Sequence, residues 1–107
     1  MRLLSKNLYT STQLSDDSWK VVMADETHPV FKAHFEGNPL LPAFLQIDIF
    51  GELLEKKLVS IKKSKFKLPI LPKDKIIYNI IKRVDNSYKV EIVKDTLSAT
   101  EFTVSYQ

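Results

Sequence analysis

Among the side chains of this 107-residue chain that can move protons on a substrate, His34 and Asp48 stand out by their surroundings. His34 lies in a stretch punctuated by Pro29, Gly37, Pro39 and Pro42, where no regular pattern can run. Asp48 follows in an apolar run, with Phe44, Ile47, Ile49 and Phe50 around it. Aspartate is a weak helix former and is rarely buried without a partner. Desolvation in such surroundings favours its neutral form and pushes its pKa upward. A histidine base and a carboxylic acid that keeps its proton make a pair for general acid–base chemistry. Between them a helix begins, and the free backbone N–H groups of its first turn can polarise a carbonyl. The other histidine, His28, precedes Pro29 in what reads as an extended dipeptide and has no acid partner in view. Two histidines without a further ligand cluster do not describe a metal site.

The elements that must position this pair follow from the apolar pattern. One helix is expected over about Pro42 to Leu58, with Pro42 in its first turn, where a missing N–H costs nothing. From Leu41 to Phe50 only Gln46 and Asp48 interrupt the apolar residues, so this half should be buried. From Gly51 onward Leu53, Leu54 and Leu58 oppose Glu55, Lys56 and Lys57. Glu52 reads as a rim residue pairing with Lys56 one turn on, the alternative being that it faces Asp48. Strand patterns surround the helix. Trp19, Val21 and Met23 alternate after the turn-forming Ser15-Asp16-Asp17-Ser18, and Lys75 to Val84 is rich in isoleucine. Tyr88, Val90 and Ile92, then Phe102, Val104 and Tyr106, alternate with polar residues. One long helix with several antiparallel strands gives a single α+β domain over residues 1–107, with the sheet wrapped around the helix.

The run His34-Phe35-Glu36-Gly37-Asn38-Pro39-Leu40-Leu41-Pro42-Ala43 resembles the signature of the 3-hydroxyacyl-acyl carrier protein dehydratases, His-Phe-x-Gly-x-Pro-x-x-Pro-Gly. In that family the catalytic acid follows the histidine by fourteen residues, which is the separation of His34 and Asp48. An aspartate there matches the branch typified by the dehydratase–isomerase. Upstream, His28-Pro29-Val30-Phe31 resembles the family's lead-in to this motif. Downstream, Lys65-Phe66-Lys67-Leu68-Pro69-Ile70-Leu71-Pro72-Lys73-Asp74 resembles its second signature. The chain departs from the pattern with Ala43 for Gly, Glu52 for Gln and Lys73 for Gly. In its short length it resembles the compact dehydratase-like proteins of aryl-polyene clusters.

The resemblance implies a hot-dog fold, a curved antiparallel sheet around one central helix. It also implies a homodimer or higher multiple in which His34 of one chain meets Asp48 of the other. The implied reaction removes water from a 3-hydroxyacyl thioester, carried on acyl carrier protein or coenzyme A, to give the trans-2-enoyl product. In it the N–H groups of Gly37 and Ala43 bind the thioester oxygen, His34 takes the C2 proton, and Asp48 protonates the departing hydroxyl. Glu52 is a candidate modulator of Asp48, and Phe31, Phe35 and Phe44 are candidates to line the acyl tunnel. No cofactor or metal is called for. Two other functions fit a hot-dog chain, a thioesterase and a non-catalytic subunit that binds acyl carrier protein.

Composition narrows the rest. The chain has no cysteine, so neither thiolate catalysis nor a disulfide framework is available to it. Apolar residues make up 44% and charged residues 27%, ordinary for a globular domain. The start, Met1 to Asn7, lacks a long apolar stretch, and no run approaches a membrane span, so a cytoplasmic protein is expected. The net charge is +3, much of it from Lys56, Lys57, Lys62, Lys63, Lys65 and Lys67. That cluster is either a solvated surface or a docking face for an acidic partner, here acyl carrier protein. With only two arginines and no binding motif, nucleic acid is not an expected partner.

Overall fold

The computed structural model describes residues 7–33, 40–83 and 87–106. Its elements are β1 (Tyr9–Ser15), β2 (Ser18–Met23), α1 (Pro29–Ala33), α2 (Ala43–Leu54), β3 (Leu58–Phe66), β4 (Lys75–Lys82), β5 (Ser87–Lys94) and β6 (Leu97–Tyr106). The six strands form one sheet in the order β1-β2-β4-β5-β6-β3, every neighbouring pair antiparallel. The sheet curves around α2. This is the hot-dog architecture.

The alternation in the sequence sorts side chains to the two faces. Val21 and Met23 on β2, Ile76, Tyr78 and Ile80 on β4, Val90 and Ile92 on β5, and Phe102 and Val104 on β6 are buried. They meet Leu45, Ile49, Phe50 and Leu53 of α2 in one core. At its centre the Phe50 ring stacks on Tyr78, with centroids 6.4 Å apart. It also meets Tyr88 and Phe102 edge-on, at 5.7 and 5.8 Å.

Three local features differ from the sequence expectation. The helix stops at Leu54, not near Leu58, because Glu55 turns left-handed (φ 54°, ψ 44°). The N–H groups of Glu55 and Lys56 then bond to the carbonyls of Glu52 and Gly51, closing the helix in a Schellman motif. Leu58 consequently begins β3. The stretch expected to be irregular from His28 contains the short helix α1. Pro29 fits its first position, and His28 holds its start, with Nδ1 accepting the Val30 N–H at 3.1 Å. His28 is therefore a capping residue and not part of an extended dipeptide.

Besides Asn7 and Glu55, three described non-glycine residues sit in the left-handed region, where a side chain is costly. Lys73 has φ 67°, which explains why a glycine occupies this place in the family's second signature. Asp95 and Thr96, at φ 52° and 67°, form the two-residue turn between β5 and β6, and Thr96 is β-branched. Lys73→Gly and Thr96→Gly should each raise stability by up to about 1 kcal/mol, read as a higher urea midpoint with unchanged slope.

Candidate active site

The site grows from the entrance of α2. Leu41 donates its N–H to the carbonyl of Ile70 at 2.7 Å, so the two signature segments are bonded to each other. Asp74 then closes the second segment. Its carboxylate accepts the Leu71 N–H at 2.7 Å and pairs with Lys94 at 2.8 Å. Pro42 stands just before the helix with φ −59° and ψ 146° and gives no side-chain cap. Its carbonyl takes the N–H groups of Leu45 and Gln46. The Ala43 and Phe44 amides, in the first turn, have no acceptor within the helix. Here the chain holds donors that a carbonyl oxygen could use.

Gln46 fixes how the helix is turned. It is 4% exposed, and its Oε1 accepts the Thr100 hydroxyl of β6 at 2.7 Å while its Nε2 donates to the carbonyl of Leu41. Its own carbonyl accepts the Tyr78 hydroxyl of β4 at 2.8 Å. An amide in an otherwise apolar run must find such partners, which is the signal in the sequence that could have marked it. Thr100→Val keeps the shape but strands a buried acceptor, and should cost about 1–3 kcal/mol in chemical denaturation.

With Gln46 held against the sheet, a strip of α2 faces away from the core. It runs through Ala43 and Phe44, both exposed, then the half-buried Asp48 and Glu52, and ends at the exposed Glu55. Asp48 thus sits between the buried Ile47 and Ile49 but opens onto this strip. Glu52, one turn further, accepts the Tyr9 hydroxyl on Oε1 at 2.7 Å. Lys56, the partner expected for it, instead lies over the Tyr88 ring, 5.6 Å from its centroid. Burial, and then the bond and charge of Glu52, push the Tyr9 phenol well above its usual range.

Residues 11–101 match the model of the ApeI-like family, described as ApeI dehydratase. The chain belongs to the ApeI-like dehydratase family. Among solved structures it is similar to the dehydratase heterocomplex ApeI:P from Xenorhabdus doucetiae, with TM-score 0.74 and 21% identity over 91% of this chain and 93% of that one. An uncharacterized protein from Erwinia carotovora subsp. atroseptica is similar too, with TM-score 0.62 and 21% identity, covering 94% and 96%. At this identity the two structures speak for the fold. The comparison with curated proteins found no match.

For this ApeI-like chain the sequence-derived site divides into three groups. Asp48, Ala43, Phe44 and Glu52 share the outward strip of α2. Phe31 is 2% exposed and packs in the core, whereas Phe44 is 53% exposed. His34, Phe35 and Gly37 lie outside the described residues; α1 ends at Ala33, immediately before the histidine. Among the described residues no cluster of three or more His, Asp or Glu side chains could hold a metal ion, and no helix is long and apolar enough to cross a membrane.

The edge strand β3 completes the surroundings. Ile61 and Phe66 pair with Val104 and Thr100, both buried, so they belong to the concave face, yet they are 48% and 44% exposed. Their strand also carries the exposed Lys62, Lys63 and Lys65. Lys67, just beyond, pairs with Glu101 and holds that carboxyl below its usual range.

Proposed function

We propose that this family member is a 3-hydroxyacyl-thioester dehydratase. The observation that carries the reading is the placement of Asp48 on the outward strip of α2, within the span of a family of dehydratases. Asp48 is five residues from Ala43, about 7 Å along a helix axis, a span suited to an acyl C1–C3 unit with a hydrogen bond at each end. The thioester oxygen accepts from the Ala43 and Gly37 N–H groups, which makes the C2 proton acidic. His34 removes that proton as the C2–C3 double bond forms. Asp48, as the general acid, gives a proton to the C3 hydroxyl, and the C3–O bond breaks to release water. Proton transfer from His34 back to Asp48 resets the pair.

A second subunit completes the site in this reading, bringing His34 of one chain towards Asp48 of the other. The simplest such assembly is a homodimer. Two features support a second subunit, the half-exposed apolar side chains Phe44, Ile61 and Phe66 and the small size of the domain, and the fold-level likeness to a protein described as a heterocomplex allows that subunit to be a different chain. The lysines of β3 suit an acidic acyl carrier protein as the bearer of the substrate. A cytoplasmic role in fatty-acid-like or aryl-polyene synthesis fits both.

Purified protein offered 3-hydroxybutyryl and crotonyl thioesters tests the reading. Interconversion of the two without free thiol is the expected result. Release of thiol would make the chain a thioesterase instead. Binding of acyl carrier protein with neither reaction would leave a non-catalytic subunit.

A further inference from the structure

We propose that Tyr9 is a positioning residue for dehydration, holding the Asp48 strip of α2 in place through Glu52; this rests on the dehydratase reading. β1 is an edge strand whose residues from Thr10 to Ser15 are all exposed, so it adds almost nothing to the core. Its first residue is the exception. Tyr9 is half-buried against the core, and its hydroxyl reaches a carboxylate 43 residues away, at 2.7 Å. A hydrogen bond to an ionised acceptor is about twice as strong as one between neutral groups. The raised phenol also stays protonated at any working pH, so it remains a donor.

The contact matters because of what lies on either side of it. Gln46 ties α2 to β6 and β4 from within, and Tyr9 ties Glu52 to β1 from the far side. Asp48 lies between these two anchors, and residues four apart are neighbours on one helix face. A side chain extends about 5–6 Å from the helix axis, so a rotation of about 10° carries a carboxyl about 1 Å. A misplacement of about 1 Å can cost roughly 100-fold in rate. Leu45, Ile49, Phe50 and Leu53 hold the inner face of α2 in the core, and Tyr9 adds a constraint on its outer face, beside Asp48.

The test compares Tyr9→Phe, Glu52→Gln, Glu52→Ala and the Tyr9→Phe/Glu52→Ala double variant in the thioester assay. Tyr9→Phe should lower kcat about tenfold, less than a full 1 Å displacement would, with KM little changed. Glu52→Gln keeps an acceptor oxygen for the hydroxyl and should retain most activity, whereas Glu52→Ala should fall to the level of Tyr9→Phe. The double variant should be no worse than either single one, because both remove the same link. The Asp48 carboxyl carbon resonance in substrate-free protein should move in Tyr9→Phe, a change that removes no charge near Asp48. Wild-type kcat and an unmoved resonance in Tyr9→Phe, with only the melting temperature lowered, would reduce the contact to a clip for β1. Losses that multiply in the double variant would also overturn the link. A wild-type protein with no dehydration sinks the parent reading and the catalytic role with it, an outcome distinct from dehydration that ignores Tyr9.

Discussion

Asp48→Asn should lose dehydration by a factor of about 10²–10⁴ while the protein stays folded, the span usual for a general acid. The amide has almost the shape of the carboxylic acid but cannot release a proton to a departing hydroxyl. The half-buried position of Asp48, off the core, makes the exchange tolerable to the fold. A substrate whose C3 substituent leaves without a proton separates this role from a structural one. A 3-chloroacyl thioester should eliminate chloride in Asp48→Asn at close to the wild-type rate. If Asp48→Asn dehydrates the natural substrate at full rate, the acid role falls and the non-catalytic subunit becomes the better reading.

His34→Ala should show a loss of the same order, about 10²–10⁴-fold, but for both substrates, because each must surrender its C2 proton. The contrast between the two substrates therefore assigns the two roles independently. His28 supplies the control. Its Nδ1 caps α1, so His28→Ala should lower thermal stability and leave the substrate contrast unchanged. Activity that survives in His34→Ala but vanishes in a folded His28→Ala protein would mean that the other histidine is the base.

What could be read beforehand follows from the range of the forces involved. The period-2 alternations at Val21 and Met23, Val90 and Ile92, and Phe102 and Val104 are local, and each became a strand with those side chains inward. The helix entrance at Pro42 was legible for the same reason. Its exit was not, because Glu55 turns left-handed without a glycine and Lys56 and Lys57 are both good helix formers. That error also hid the start of β3. α1 was concealed by Pro29, which reads as a breaker until His28 is seen to cap it. The acid strip carried the least warning. Gln46 finds Thr100 54 residues away and Glu52 finds Tyr9 43 away, pairings that no spacing rule reaches. The pairing of His34 with Asp48 rests on a histidine outside the described residues.

Gln46 is bonded to the sheet so that the packing residues of α2 and those of its outward strip fall on different sides. Leu45, Ile49, Phe50 and Leu53 answer to the core, while Phe44, 53% exposed, stands outside it. Selection, or an engineer, can thus vary Phe44 without repacking the domain, whereas a change one residue along at Leu45 is felt throughout it. The chemistry of that outer face can drift quickly on a scaffold that barely changes.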